Sequence, residues 1–240
     1  MQCLLDPDSP RGDVASVGVG GNVSSRQAHV GKKPTALDLF SGAGGFSLGL
    51  ASAGFDIVGA VDCWDIAVKS YSLNFSHPIL QCDLSAASGK DLLDKFQKHP
   101  GSIDLLVGGP PCQGFSIQRI GSDHDTRNHL VLEFARLVDE IRPRLFLMEN
   151  VPGLLGKRGK ELVAEFTARA RRSGYELTSA VINAADFGVP QIRKRVVVAG
   201  WRIGSAPFEF PSAVVGAGEY RTVEDAFRRS EEHTSELQSH

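Results

Sequence analysis

The chain has 240 residues, a formal net charge of −2, 42% hydrophobic and 22% charged residues, and four cysteines. Such a length holds one substantial domain or a domain with a fragment of another, and no run of about 18 apolar residues exists to span a membrane. Cys3, Cys63, Cys82 and Cys112 have neither CxxC nor Cys/His spacing that would read as a zinc site; four scattered cysteines in a chain of this size read as thiols of a reducing compartment and not as a disulfide framework.

Residues 1–34 are rich in Gly, Ser and Val without a sustained period. They are expected to be a disordered leader, or upstream sequence translated from an early start codon; no basic start with an apolar core marks a signal peptide. Order is expected from Thr35. Ala36–Phe40 reads as a strand, Ser41-Gly-Ala-Gly-Gly45 as a glycine loop and Phe46–Ala53 as a helix. That is the first unit of a doubly wound sheet, whose loop N–H groups and helix start suit a nucleotide-like ligand. The spacing is not the strict GxGxxG of nicotinamide enzymes. A second strand, Asp56–Val61, ends at Asp62, about 20 residues after the loop, a place suited to accepting hydrogen bonds from ribose hydroxyls. A helix over Trp64–Phe75 and a third strand over Ile79–Asp83 follow, the latter ending in another acid, with Cys82 as packing. Lys90–Lys98 is amphipathic.

Ile103–Val107 is a short apolar run that reads as a buried strand. Gly108, Gly109, Pro110 and Pro111 stop it, allowing close backbone approach and then fixing φ in a stiff loop. That loop carries Cys112, followed by Gln113, Gly114 and Ser116. Most single cysteines are small buried hydrophobes, but a filler needs no such collar, and a rigid loop beyond a strand's carboxyl end is where ligands bind. Arg127 opens a helix to Ile141 with Leu130, Phe134, Leu137, Val138 and Ile141 at helical spacing. His124 and His129 lack partner spacing and read as loop and surface histidines. Leu145–Val151 is a fifth, nearly all-apolar strand interrupted by Glu149, an acid costly there unless paired or used.

Lys157–Ser173 reads as a basic amphipathic helix, and Tyr175–Asn183 and Arg195–Trp201 as strands. Gln191, Arg193 and Arg195 lie between or at the edge of these strands, and the arginines suit a phosphate or a base carbonyl. Residues 35–140 hold 7 Lys/Arg against 13 Asp/Glu, whereas residues 141–202 hold 12 against 5. A basic half is the electrostatic footprint of a surface that meets phosphates.

These stretches together resemble the DNA (cytosine-5) methyltransferases. The matching motifs, in the family's order, are Asp38–Gly45, Gly108–Gln113, Glu149-Asn-Val151, Gln191-x-Arg193-x-Arg195 and Tyr220–Ala226. The resemblance implies a Rossmann-like α/β fold with a mixed, mostly parallel seven-stranded sheet flanked by helices, its last two strands a hairpin. It implies S-adenosylmethionine held by Phe40, Ser41, Gly42, Ala43, Gly44, Gly45, Asp62, Cys63, Asp83, Leu84, Gly109 and Pro111, with Asp83 accepting from the adenine amino group. It implies catalysis by Cys112 as nucleophile and Glu149 as general acid, with Arg193 and Arg195 polarising the base, on a cytosine flipped from duplex DNA; no metal is expected. The implied protein is a monomer of the prokaryotic cytosol, associated with the nucleoid and without a membrane anchor.

This sequence departs from the family where Asp62 replaces the commoner Glu and Cys63 a larger stacking side chain. It also lacks the family's final Asn-containing motif. Residues 35–204 are expected to form the catalytic domain, 205–228 to begin a linker to a target-recognition domain, and 229–240 to be non-native, since they resemble a translated sequencing adapter, the alternative being a polar helix entering the next domain. Two alternatives remain open at this point: a tRNA cytosine-5 methyltransferase of the same fold, and an inactive cofactor-binding fragment.

Overall fold

A computed structural model describes residues 32–111 and 129–228. Seven strands form one sheet: β1 (Thr35–Leu39), β2 (Asp56–Asp62), β3 (Ile79–Gln81), β4 (Leu105–Gly108), β5 (Leu145–Asn150), β6 (Tyr175–Asn183) and β7 (Lys194–Arg202). Their order across the sheet is β3-β2-β1-β4-β5-β7-β6. β1 to β5 run parallel, while β7 runs antiparallel to both β5 and β6. This is the mixed, mostly parallel sheet expected from the sequence, with the terminal hairpin in place.

The helices are α1 (Gly45–Ser52), α2 (Asp65–Asn74), α3 (Gly89–Lys95), α4 (Leu130–Ile141) and α5 (Lys160–Arg172). Strands buried on both faces read as continuous apolar runs, and all five residues of β1 and all four of β4 are buried. One face of the sheet packs Leu37, Leu39, Leu106 and Phe146 against Leu92 and Leu93 of α3, the stripe of α4, and Phe166 and Ala170 of α5. The opposite face packs Ala36, Ile57, Leu105 and Val107 against Phe46 and Leu50 of α1. Helices therefore cover both faces, the arrangement that brings the strands' carboxyl ends together along one rim.

Sequence and structure differ at several edges. The third strand stops at Gln81, so Asp83 lies in a turn instead of closing a strand. Its Oδ1 accepts from Ser85 N at 2.9 Å and Ser85 Oγ at 2.7 Å, local bonds that compete with strand pairing. In α4, Leu130 is half-buried at the helix start, and Val131 and Ala135 join Phe134, Leu137, Val138 and Ile141 in the core. Among the described residues, no helix is long and apolar enough to cross a membrane.

Candidate active site

The carboxyl end of β1 runs into the glycine loop through a backbone that turns left-handed at Phe40 (φ 54°), Gly42 (φ 54°) and Gly44 (φ 95°). A positive φ at a bulky residue such as Phe40 is uncommon, and such strain clusters at ligand sites. Asp62, at the end of β2, holds this loop: its Oδ2 accepts from Gly42 N at 2.8 Å and its Oδ1 from Trp64 N at 2.9 Å. Gly44 has no room for a side chain, since a Cβ there would lie 2.3 Å from the Phe75 ring and 3.0 Å from Tyr71. At Gly42 and Gly45 a Cβ would meet nothing within 4 Å. The loop is thus packed from below and open above, where a ligand would lie.

Two buried polar atoms beside this loop lack hydrogen-bond partners, Asp38 Oδ1 and Ser41 Oγ. Orphaned buried polar groups call for a functional or structural explanation. Ala43 is exposed on the loop, and Phe40 packs partly against the main core. Cys63 is exposed, its thiol pushed up from the ordinary value by burial and then by Asp62 and Asp83. Asp83 is pulled down by its bonds to Ser85. Asp62, Cys63 and Asp83 therefore gather at the ends of β2 and β3. Leu84, in contrast, packs its side chain into the core, and its carbonyl accepts from Arg136 Nη2 at 2.9 Å.

Asp38 is the residue whose importance the motif alone concealed. It is 1% exposed within β1, and its carboxyl is pushed up to about 6, chiefly by burial, against the opposing bonds from Ser47. The signal was present: an acid inside an otherwise apolar strand is costly unless used. Because its folded-state pKa exceeds 3.8, Asp38 destabilises the fold by on the order of 3 kcal/mol above about pH 6, and the penalty fades as pH falls toward 3.8. The stability of Asp38→Asn relative to the native chain should rise by on the order of 1 kcal/mol between pH 5 and pH 7.5, measured by urea denaturation at both values.

The second half of the site lies one strand further on. β4 and β5 pair in register with Gly108 opposite Met148, which sets Gly109–Pro111 beside Glu149 and Asn150. A Cβ on Gly109 would be 3.4 Å from Glu149 Oε2, so the carboxylate lies against the collar. Asn150, buried, donates from Nδ2 to the Pro110 carbonyl at 3.0 Å and fastens the collar to β5. The antiparallel pairing of β5 with β7 sets Asn150 opposite Val196, and Arg195 Nε meets Glu149 Oε1 at 2.8 Å with both side chains about one-quarter exposed (27%). Arg193 stands apart: it is exposed, and its backbone N–H donates to Asn183 Oδ1 at 3.0 Å. Gln191 is also exposed. Cys112 follows Pro111 directly and lies outside the described residues, as does His124.

β1, β4 and β5 are neighbours in the sheet. The glycine loop, the Gly109–Pro111 collar and the Glu149–Arg195 pair consequently stand side by side at their carboxyl ends. His129, read as a surface histidine, is exposed and close enough to Asp83 to help lower it. Among the described residues no cluster of three or more His, Cys, Asp or Glu could hold a metal.

The chain is 44% identical over 197 residues to the Type II methyltransferase M1.HphI of Haemophilus parahaemolyticus, covering 80% of this chain and 51% of that protein. It is 38% identical over 215 residues to the Type II methyltransferase M.AquIA of a Picosynechococcus strain, covering 79% of this chain and 86% of the relative. Among solved structures, a DNA modification methyltransferase encoded within an E. coli prophage superposes with a TM-score of 0.71 at 33% identity, over 81% of this chain and 54% of that one. The chain thus spans about half the length of the first relative and of the solved structure. The family model for C-5 cytosine-specific DNA methylases matches residues 35–238, a span that takes in both halves of the site, and the chain belongs to that family.

Proposed function

We propose that this chain carries the cofactor site and the catalytic groups of a DNA (cytosine-5) methyltransferase acting on a cytosine flipped out of the duplex. The observation that carries the reading is the Glu149–Arg195 pair lying against Gly109, three residues from Cys112. A cytosine C5 is a weak nucleophile, and a thiolate added at C6 converts the ring to an enamine-like form, splitting one hard step into easier ones. Cys112 makes that bond. Glu149 hydrogen-bonds and protonates N3 as charge builds on the ring. Arg195 orients the Glu149 carboxyl and brings positive charge to the same edge of the base. After C5 takes up the methyl group, loss of the C5 proton, return of the N3 proton to Glu149 and expulsion of the Cys112 thiolate restore the neutral aromatic ring.

The groups around the glycine loop fit S-adenosylmethionine: open space above Gly42 and Gly45, unpartnered oxygens on Asp38 and Ser41, and carboxylates at Asp62 and Asp83. When bound there, it supplies the electrophilic methyl group. Asp62 spends one bond from each oxygen on Gly42 and Trp64, yet each carboxylate oxygen keeps a lone pair for a ribose hydroxyl. Extruding the base costs a few kcal/mol, and the basic stretch 141–202 supplies charge to meet the phosphates. The relatives named above come from bacteria, and a bacterial cytosol is the corresponding setting; the chain acts there as a monomer.

Incubation with S-adenosylmethionine and a duplex containing 5-fluorocytosine tests this reading. A covalent protein–DNA adduct is expected, and it should be absent in Cys112→Ala. Binding of both cofactor and duplex with no adduct by the native chain would overturn it.

A further inference from the structure

Behind the glycine loop, four side chains form a continuous hydrogen-bonded array, of which the reading above uses only the free oxygen of Asp38. Ser47 Oγ lies 2.7 Å from Asp38 Oδ2, Tyr71 Oη lies 2.8 Å from Ser47 Oγ, and His77 Nδ1 lies 2.8 Å from Tyr71 Oη. Ser47 and Tyr71 are fully buried, and His77 is half-exposed. The array therefore runs from a carboxyl under the loop to solvent. We propose that His77, Tyr71 and Ser47 form a proton relay that couples the charge on Asp38 to the solvent, and through Asp38 tunes the loop's affinity for a cationic cofactor. The second clause rests on the cofactor site proposed above; the first does not.

Hydrogen-bond inventory fixes the direction of the array. A carboxylate only accepts, so Ser47 must donate its single proton to Asp38. Ser47 then accepts from Tyr71, whose own proton is thereby committed. Tyr71 must in turn accept from His77, which makes the neutral ring the Nδ1–H tautomer. A proton arriving at His77 Nε2 can be passed on without water entering the core. The Nδ1 proton moves to Tyr71, the Tyr71 proton to Ser47, and the Ser47 proton to Asp38 Oδ2. The net result is a neutral Asp38 and a neutral His77 carrying its proton on Nε2. Every bond in the array is then reversed, and no group other than Asp38 changes its charge.

The surroundings favour such a transfer. Burial raises Asp38, lowers His77 and raises Tyr71 to about 12, so the tyrosine passes a proton without itself becoming an anion near neutral pH. Asp62 of β2 is the charged group facing Asp38 and adds to its rise; α1 contributes Ser47, α2 contributes Tyr71, and β4 presents the apolar Val107 in register. Asp56 acts on His77. The same tyrosine ring lies with Phe75 beneath Gly44, and Phe75 stacks on His77 at 5.0 Å. Ser47 N–H also donates to Asp38 Oδ2 at 3.1 Å, so the carboxyl's charge is felt at the first turn of α1, next to the loop. A neutral Asp38 removes one negative charge from beneath the glycine loop, where a cationic cofactor would be held.

Two measurements on the full chain test the relay. By ¹⁵N NMR, neutral His77 should be the Nδ1–H tautomer at pH 7.5 and should gain the Nε2–H tautomer as Asp38 protonates toward pH 5; in Tyr71→Phe, which keeps the ring under Gly44, that exchange of tautomers should vanish. By calorimetry, S-adenosylmethionine affinity should weaken ~10-fold between pH 7 and pH 5, and in Tyr71→Phe the loss should begin at higher pH, because Ser47 loses the donor that polarises it. His77→Ala, at the half-exposed end, should move the affinity profile the same way without disturbing the core. A single neutral tautomer throughout overturns the relay. A tautomer exchange with a flat affinity profile overturns the link to the cofactor. Absence of cofactor binding at every pH overturns that link together with the proposed cofactor site, and the tautomer result alone then decides the relay.

Discussion

Replacing Glu149 with Gln is expected to slow methyl transfer by ~10²–10⁴-fold, the range for removing a general acid, with S-adenosylmethionine affinity unchanged. The substitution is isosteric and the side chain is only partly buried, so the fold should persist. The amide introduced by Glu149→Gln would still reach the collar at Gly109 and could still hydrogen-bond Arg195, but it has no acidic proton to give to a ring nitrogen. Arg195→Lys makes a useful companion. It keeps a positive charge while losing the planar fork that aligns a carboxylate, and its rate should fall less than that of Glu149→Gln. Single-turnover transfer to a duplex substrate measures both. A Glu149→Gln rate within about threefold of native would remove the carboxyl from the chemistry.

Phe146→Ala is expected to cost about 3–5 kcal/mol of stability, a large part of the roughly 5–15 kcal/mol typical of a whole domain. Phe146 is fully buried on β5, and its ring meets Phe134 of α4 and Phe166 of α5 at centroid distances of 6.0 Å and Tyr175 of β6 at 5.4 Å. Such edge-to-face pairs add to the burial energy. Gly200 on β7 makes room for the ring, since a Cβ there would lie 2.2 Å from it. Phe146→Leu, which refills most of the volume, should lose distinctly less. A shifted urea midpoint with an unchanged slope is the expected signature, and a loss under about 1 kcal/mol would contradict the role given to this ring.

Much of the site could be read from the sequence because its parts are local. A strand followed by a glycine loop, a proline collar and an acid breaking an apolar strand each declare themselves within a short stretch of chain. The parts that could not be read depend on pairing across the sheet. Arg195 meets Glu149 because β7 inserts between β5 and β6, and no periodicity states which strand an antiparallel hairpin lays against its neighbour. The relay escaped for a similar reason: Asp38, Ser47, Tyr71 and His77 sit on four different segments, and only packing brings them into line. Asp83 shows the converse error. Its place after an apolar stretch suggested a strand end, and the bond to Ser85 made it a turn.

The position of β7 also bears on how the polypeptide matures during synthesis. β6 leaves the ribosome before β7, yet among the described strands it pairs only with β7. Until residue 202 has emerged, β5 keeps one bare edge and β6 has no partner strand at all, and unpaired edges invite wrong associations. The carboxylate on β5 thus acquires its arginine only at the last step of sheet closure, so the Glu149–Arg195 pair forms after the parallel strands have been made.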